Sequence, residues 1–455
     1  MYRPWTKGPV SKSIAAGAGW LPSALETASG RCSRIVSTVK TTLCAFLTLP
    51  LLAATLPQSK PDEVGMSAER LKRIHPMIQN HIDAKDYSGG VTLVARKGKV
   101  VHFEAHGMAD IENNKAMRTD TLFRLASMTK PLTAVSILML LEEGKLVLND
   151  PISKFIAEYR NPRVAVWNLP NDPAGAGLKL VPAAREITIQ DLLTHTSGLA
   201  NGFEGPAGEY VRRANLPKGG SLDARIRRVA GLPLNFQPGT QWEYSPQTGF
   251  DTLGRIVEIL SGMTLEQFFK ARIFEPLDMQ DTFFTVPQSR RADVAIAYTK
   301  NEKSLVRPPA VEPAPLAKPG EEYFSGAGGL TGSTQDYLAF AQMLLNGGQL
   351  NGTRLLSRKT VELMTSVATG DLDLRNYAGD QVLKGYGFGL GVRVRRSTGE
   401  NGWMGSIGDF GWAGALGTYF WIDPKEQLVG IVMIQTRNTR LREEYPNLVY
   451  QAFVD

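Results

Sequence analysis

The stretch FRLASMTKPLTAVSILMLLEEGKL, residues 123–146, places Ser127 and Lys130 three positions apart at the start of a strongly apolar segment. Residues i and i+3 share one face of a helix, so the serine hydroxyl and the lysine ammonium can meet. A serine at a helix N-terminus also lies where backbone N–H groups and the helix dipole favour an anion. A serine hydroxyl needs an adjacent base, which a buried neutral lysine or an anionic partner of the lysine can provide. The pair therefore predicts a nucleophilic serine with a lysine partner.

The S-x-x-K spacing alone has low specificity. A chain of this length contains roughly one such match by chance, and Ser37 and Lys40 form one near the N-terminus. The alternative interpretation makes Ser127 a helix N-cap with Lys130 in the first turn. The apolar flank at residues 122–125 favours the functional interpretation, because a lysine buried without a partner costs several kcal/mol.

Outside this segment, strand and helix patterns alternate. Residues 67–85 have helical spacing with Ser67 as N-cap, and residues 90–107 predict a hairpin that turns at Lys97 and Gly98. Strand patterns return at 386–396, 412–423 and 427–436, and a final helix is predicted over about 441–453. Arg395 and Arg396, at the end of the first of these strands, are expected to be solvent-exposed.

Strands at both chain ends with helices between them predict an α+β fold. One antiparallel sheet is assembled from both ends and flanked by helices, and the middle forms a helical insertion domain. The predicted sheet lobe covers about 61–126 and 335–455, and the mostly helical lobe covers about 127–334.

The sequence predicts neither a metal site nor a cofactor. It contains no H-E-x-x-H, G-x-S-x-G, phosphate loop or G-x-G-x-x-G motif. His102 and His106 are expected to be structural or solvent-exposed, and His195 is expected to be structural. His102 and His106 share one face of a predicted strand without a third ligand nearby. His195 lies at a predicted helix end, where an imidazole can bond terminal carbonyls, and this role is favoured over pairing with Ser197.

Further motifs follow in order along the chain, and together they are far more specific than any one of them. They are LLTHTSGL (192–199), FQPGTQWEYSPQTGFDTLGRIVEILSG (236–262), FSGAGGLTGSTQDY (324–337), GYGFGLG (385–391) and GWAGALGT (411–418). With the S-x-x-K segment, this set resembles the serine β-lactamase and penicillin-binding-protein superfamily. It looks most like the class C-related family VIII carboxylesterases. The resemblance covers nearly all of residues 61–455 and implies a β-lactamase-like fold.

The resemblance also implies catalytic roles. Ser127 matches the acylated nucleophile, Lys130 its partner, and Tyr244 the tyrosine of the Y-x-N element, the expected proton shuttle. A free tyrosine has a pKa near 10, so it acts as a base near neutrality only beside a cation or by sharing the lysine's proton. Tyr244 as a packed turn residue is the alternative.

The segment 412–414 stands in the place of the K-T-G strand motif, so Trp412 and Gly414 are the expected substrate-binding residues. In the family, the oxyanion hole uses the backbone N–H of the nucleophile and that of the residue after this triplet. Here these are Ser127 and Ala415, and two fixed donors can contribute several kcal/mol to an oxyanion-like transition state. The alternative for Trp412 is a core aromatic.

Two departures from the lactamase pattern indicate the substrate class. Pro246 replaces the asparagine of Y-x-N, and Trp412 replaces the lysine of K-T-G, which would pair with a substrate carboxylate. Both changes favour a small neutral ester in an apolar pocket, and hence a short-chain carboxylesterase. The same catalytic set fits a β-lactamase, a D-Ala-D-Ala carboxypeptidase or an acyltransferase, and a non-catalytic penicillin-binding sensor is a further alternative.

Composition and charge complete the sequence-based hypothesis. The chain has 455 residues, of which 43% are hydrophobic and 21% charged, which excludes a mainly disordered or polytopic membrane protein. Of the net charge of +7, +6 belongs to residues 1–60 and +1 to the remainder, so the charge gives no support to a nucleic-acid partner. Both cysteines, Cys32 and Cys44, also lie in this leader.

The leader resembles an export signal. An apolar run at residues 42–56 follows a basic flank, which predicts a periplasmic or secreted enzyme without stable membrane insertion. The stretch before the run is long for a signal peptide, so a cytoplasmic protein with a start assigned too far upstream is the alternative. The sequence does not indicate an oligomeric state.

Overall fold

The computed structural model of this chain describes residues 56–167, 177–200, 205–214, 220–302, 304–309, 322–374, 383–437 and 440–455. These residues belong to one compact unit, Leu52–Asp455. Apart from residues 56–60, the predicted leader lies outside the described residues, so export stays a prediction. Within the described ranges, no helix combines the length and the apolar character needed to cross a membrane.

The α-helices of the described residues follow each other along most of the chain. They are α1 (Ala68–Leu71), α2 (Ile74–Asp83), α3 (Lys130–Glu142), α4 (Ile189–Leu193), α5 (Gly208–Ala214), α6 (Leu222–Ala230), α7 (Thr248–Ser261), α8 (Leu265–Phe269), α9 (Thr334–Leu345), α10 (Arg358–Met364) and α11 (Leu441–Tyr450).

The strands concentrate towards the two ends of the described chain. They are β1 (Gly89–Arg96), β2 (Lys99–Asp110), β3 (Lys115–Ala116), β4 (Phe123–Arg124), β5 (Arg163–Trp167), β6 (Leu178–Pro182), β7 (Thr282–Phe283), β8 (Thr299–Lys300), β9 (Leu305–Val306), β10 (Thr331–Gly332), β11 (Gln349–Leu350), β12 (Thr353–Arg354), β13 (Tyr386–Phe388), β14 (Arg393–Arg395), β15 (Phe410–Ala413), β16 (Tyr419–Asp423) and β17 (Leu428–Ile434).

The main sheet joins both ends of the described chain. Its eight strands lie in the order β13-β14-β15-β16-β17-β1-β2-β3, and the strand pairings are antiparallel. Strand β1 is buried along its whole length between β17 and β2. The predicted hairpin is confirmed, with Lys97 and Gly98 at positive φ in its two-residue turn. The predicted α+β fold is confirmed, whereas the lobe boundaries stay predictions.

Two apolar cores lie on opposite faces of the main sheet. Val91 and Leu93 of β1 belong to the core that also contains Met128 and most of α3. On the other side, Ile74 of α2 and Val449 of α11 belong to a second core. Successive strand residues point to opposite faces, which explains why one strand serves both cores. The predicted nucleophile segment therefore lies on the face away from α2.

Residues 67–85 form two helices rather than the single one that their spacing predicts. Ser67 caps α1 as predicted, since its hydroxyl accepts from the Arg70 N–H at 3.2 Å. Pro76 explains the break, because a proline ring clashes with the carbonyl four residues earlier, here that of Lys72. Helix α2 begins at Ile74, which places Pro76 in its first turn.

The expectation that Arg395 is solvent-exposed is wrong. Its side chain is 3% exposed, and Nε donates to Asp409 Oδ2 at 2.5 Å. The neighbouring Arg396 is partly exposed and donates to the carbonyl of Gly370 at 2.8 Å. The burial of Arg395 depends on an acid fourteen positions away, which strand spacing does not reveal.

Candidate active site

Ser127 lies at the junction between a strand and the buried helix α3. It belongs to the 3-10 turn Ala126–Thr129, which leads directly into α3. Residues 130–140 of α3 are all buried, as expected of a helix that is apolar on every side. Ala126, just before the serine, has a φ of +47°, an unfavourable conformation for a residue with a Cβ. The turn thus presents the half-buried Ser127 from a rigid support.

Lys130 is fully buried, and three acceptors surround its amine. Nζ donates to the carbonyl oxygens of Ala327 at 2.7 Å and Pro246 at 2.8 Å, and to Ser127 Oγ at 3.2 Å. These contacts satisfy a buried polar group that would otherwise be costly. The backbone of Pro246, which replaces the expected asparagine, therefore orients the lysine.

Tyr244 reaches the same hydroxyl from the loop before α7. Its hydroxyl donates to Ser127 Oγ at 2.7 Å, and its ring centroid lies 5.1 Å from Lys130 Nζ. The structure therefore brings the three predicted catalytic residues together. Both groups donate to Ser127 Oγ in this arrangement, so either can accept the serine proton only after it has released one of its own.

His195 supports the tyrosine from behind rather than bonding helix carbonyls as the sequence suggested. Its Nδ1 accepts from the backbone N–H of Ser245 at 3.1 Å, and its ring centroid lies 4.8 Å from that of Tyr244. Burial, with a smaller effect of the Lys130 charge, holds the pKa of His195 well below its ordinary value. Its Nε2 has no hydrogen-bond partner among the described residues, so no pairing with Ser197 is present. The lowered pKa favours the neutral imidazole, which fixes the loop that carries Tyr244.

The end of β15 forms the opposite side of the site. The Trp412 ring centroid lies 5.3 Å from that of Tyr244, and the residue is 9% exposed. Gly414 lies against the segment that leads to the nucleophile: an added Cβ would come within 2.4 Å of the Leu125 carbonyl oxygen. Thr418 Oγ1 donates to the same oxygen at 3.2 Å. Only glycine permits this close approach.

The backbone N–H groups of Ser127 and Ala415 are the predicted oxyanion donors. Within the described residues, neither the N–H of Ser127 nor that of Ala415 donates a hydrogen bond. Ala415 is exposed in the turn after Gly414, next to the Leu125 contact. Fixed amides without internal acceptors are the arrangement that an oxyanion requires.

The Beta-lactamase family matches residues 74–452 of this chain. The chain belongs to the beta-lactamase family. Its suspected membership of the serine β-lactamase and penicillin-binding-protein superfamily is confirmed, and the chain is a serine hydrolase.

Three relatives illustrate the range of the beta-lactamase family around this chain. It is 38% identical to an uncharacterized protein of Mycobacterium tuberculosis over 320 residues, covering 70% of this chain and 77% of that protein. It is 33% identical to the esterase EstB of Burkholderia gladioli over 292 residues, covering 60% of this chain and 69% of that esterase. The solved structure of EstCE1, a hydrolase with promiscuous acyltransferase activity, has a TM-score of 0.69 at 25% identity, covering 85% of this chain and 99% of that one.

Asp251 is a supporting residue of this beta-lactamase-family site that the sequence reasoning missed. It is fully buried on α7 and accepts from Ser325 Oγ at 2.7 Å and from the Ala327 N–H at 3.2 Å. Tyr323 also donates to its carboxylate. Burial raises the pKa of Asp251 above its ordinary value. The residue fixes the segment whose Ala327 carbonyl accepts from Lys130. An acidic residue within the amphipathic helix α7 was the sequence signal that could have identified Asp251.

Arg442 is a second residue that the sequence did not indicate. From α11, its Nη2 donates to the carbonyl oxygen of Gly414 at 2.7 Å. Burial, reinforced by the positive charge of Arg393, lowers the pKa of Arg442 to about 10. The contact holds the turn that presents Ala415, although Arg442 lies on a separate helix later in the chain.

Proposed function

We propose that this enzyme hydrolyses short-chain carboxylic esters through an acyl-enzyme on Ser127. The observation that carries the proposal is the position of Ser127 Oγ, 2.7 Å from the Tyr244 hydroxyl and 3.2 Å from Lys130 Nζ. Such a hydroxyl can lose its proton as it attacks a carbonyl carbon. The 33% sequence identity to the esterase EstB supports the choice of an ester as substrate.

The reaction requires the Tyr244–Lys130 pair to have released one proton to solvent. Ser127 Oγ then attacks the ester carbonyl and passes its own proton to the pair. The N–H groups of Ser127 and Ala415 hold the negative oxygen of the tetrahedral intermediate. Its collapse breaks the bond to the alcohol oxygen, which Tyr244 protonates, and leaves an acyl group on the serine. A water molecule then attacks the acyl carbon as the tyrosine takes its proton, and Ser127 regains a proton as the acid departs.

The walls of the site favour an uncharged substrate. Trp412 presents an indole where the K-T-G lysine would present a cation, and its ring packs 5.1 Å from Phe388. Pro246 offers only a backbone carbonyl, and that oxygen already accepts from Lys130. A ligand carboxylate would thus lose its water on an aromatic surface without gaining a cation from this position, which is costly. A neutral acyl group does not meet this penalty.

The test is a rate comparison on p-nitrophenyl esters from acetate to laurate and on a chromogenic cephalosporin. We expect the short-chain esters to be hydrolysed fastest and the cephalosporin slowest. Ser127→Ala should abolish ester turnover while leaving the thermal unfolding unchanged. Ser197→Ala is the matched control and should retain turnover, since among the described residues the Ser197 hydroxyl accepts from the Leu199 N–H and bonds neither Lys130 nor Tyr244. Turnover by Ser127→Ala, or a strong cephalosporin preference in the wild-type protein, would refute the proposal.

Transfer of the acyl group to an alcohol is a second candidate activity. It is favoured by the structural likeness to EstCE1, which combines hydrolase and acyltransferase activities. An acceptor alcohol would take the place of water in attacking the acyl carbon, with Tyr244 again accepting the proton. Adding an alcohol to the ester assay and identifying the transferred product by mass spectrometry separates the two outcomes.

A further inference from the structure

A cluster of two histidines and a glutamate lies on the sheet face away from the candidate active site. Glu104 and His106 lie two positions apart on β2 and therefore point to the same face. His75 on α2 reaches them from the covering helix, and its Nδ1 lies 2.6 Å from Glu104 Oε1. The sequence reasoning considered His102 and His106 together and did not place His75 beside His106. The missing partner comes from another element.

His106 is the unusual member of this cluster. The residue is 3% exposed, and its Nδ1 has no hydrogen-bond partner among the described residues. The nearest carboxylate atom, Glu104 Oε1, lies 3.9 Å from that nitrogen, beyond hydrogen-bond distance. A buried polar atom without a partner is uncommon in folded proteins and indicates a missing ligand or water.

The hydrogen bonds of Thr92 allow this nitrogen to present a lone pair. His106 Nε2 lies 2.9 Å from the Thr92 hydroxyl oxygen, and His102 Nε2 lies 2.7 Å from the same oxygen. When His106 Nε2–H donates to Thr92, the threonine proton is donated in turn to His102. The Nδ1 of His106 then carries no proton and faces the cluster. A metal-binding histidine typically donates its other N–H in this way.

We propose that His75, Glu104 and His106 bind a divalent transition-metal ion, for which Zn²⁺ is the natural probe. One ligand atom from each residue lies within 4.8 Å of the other two. Zinc bonds of about 2.0–2.2 Å place adjacent ligand atoms roughly 3.3 Å apart, between the 2.6 and 3.9 Å separations described above. Two imidazoles and one carboxylate leave a fourth position for water, a donor set that zinc accepts.

The solvent exposure and the position of these three residues suit a metal ion that links helix α2 to strand β2. The side chains of His75 and Glu104 are 54% and 39% exposed, so an ion can enter from solvent, whereas that of His106 is fully buried. A bound ion would join α2 to β2 directly. Because an ion that binds only the folded state stabilises it by mass action, Zn²⁺ should raise the unfolding temperature.

The experiment titrates the chelator-treated full-length protein with ZnCl₂ by isothermal calorimetry and follows thermal unfolding in parallel. We expect one Zn²⁺ per chain and a higher unfolding temperature with Zn²⁺ present. His75→Ala and Glu104→Gln, at partly exposed positions that leave the fold intact, should each weaken binding by at least roughly tenfold.

His81→Ala is the matched control on the same helix. The two ring nitrogens of His81 contact Asp86 and Glu444 instead, so this variant should keep the wild-type zinc affinity. Nitrogen NMR of the imidazoles should place the ion on Nδ1 of His75 and His106. The absence of stoichiometric binding would show that His75 and Glu104 form only a hydrogen bond between α2 and β2, and it would overturn the proposal. Zinc binding of unchanged affinity in both His75→Ala and Glu104→Gln would also overturn the proposal.

Discussion

The Tyr244 hydroxyl lies 2.7 Å from Ser127 Oγ, although the two residues are 117 positions apart in the chain. The serine is held by a strained turn before α3, and the tyrosine by a loop that His195 fixes from behind. Lys130, at the start of α3, donates from its Nζ to Ser127 Oγ at 3.2 Å. The reactive oxygen is thus positioned by three separate elements, and changes to each element should have distinguishable effects.

Tyr244→Phe should lower kcat for a short-chain ester by roughly 10²–10⁴-fold, the usual contribution of a general acid–base group. The phenylalanine ring keeps the contacts with His195 and Trp412, so the unfolding temperature should stay close to that of the wild type. Steady-state kinetics and thermal unfolding are the two measurements. If kcat fell by less than tenfold, Tyr244 would be a packing residue and Lys130 would have to move the proton alone.

Trp412→Lys should shift the substrate preference towards anionic β-lactams. The new ammonium would stand where the K-T-G lysine pairs with a substrate carboxylate, so the ratio of cephalosporin to ester turnover should rise at least roughly tenfold, about 1.4 kcal/mol of differential binding. Trp412→Met removes the same indole without adding charge and serves as the control. An equal shift in both variants would mean that ring removal, and not the charge, governs the preference.

Gly414→Ala should impair catalysis through the backbone. The added Cβ would lie 2.1 Å from Thr418 Oγ1 and 2.4 Å from the Leu125 carbonyl oxygen, so the turn that carries Ala415 must move. Loss of one oxyanion donor lowers kcat by about 10²–10³-fold, with a smaller effect on KM.

Gly399→Ala is the control for this substitution. An added Cβ at Gly399 meets no atom within 4 Å, so this variant should keep the wild-type kcat. Wild-type kcat in Gly414→Ala would argue against an oxyanion role for the Ala415 N–H.

Asp336 should make stability fall as the pH rises from about 4 to 6. Burial raises its pKa to about 6, against about 3.9 for an exposed aspartate. Between these values the folded state holds a proton that the unfolded state has lost. The contribution to the free energy of unfolding is therefore complete below pH 4 and is lost as the pH rises through about 6. The difference between these two pKa values corresponds to roughly 3 kcal/mol of unfolding free energy.

Asp336→Asn removes this titration. An asparagine oxygen can still accept from the Asp281 N–H and the Thr282 hydroxyl, which lie 2.7 and 2.8 Å from the carboxylate. Urea unfolding at pH 4, 5, 6 and 7 should show a smaller decline in the variant than in the wild type. Parallel curves for the two proteins would contradict the raised pKa.

The sequence determined the fold class and the serine hydrolase family, because hydrophobic period and motif order are properties of the chain itself. Ser127 and Lys130 could be paired from their spacing, since helical geometry fixes which neighbours share a face. Tyr244, Trp412, Gly414 and Ala415 came only from the resemblance to a known family. The hairpin turn at Lys97 was readable because turn chemistry is local.

Only the tertiary structure decided which distant residues support the site. Asp251 accepts from the Ala327 N–H and Arg442 donates to the Gly414 carbonyl oxygen, and neither contact leaves a periodic signal in the sequence. Arg395 looked exposed because its buried acid, Asp409, lies in the segment just before another strand, β15. His106 looked isolated because His75 arrives from a helix that packs on the sheet. Burial and pairing depend on what the fold places opposite a residue, whereas periodicity depends only on its neighbours in the chain.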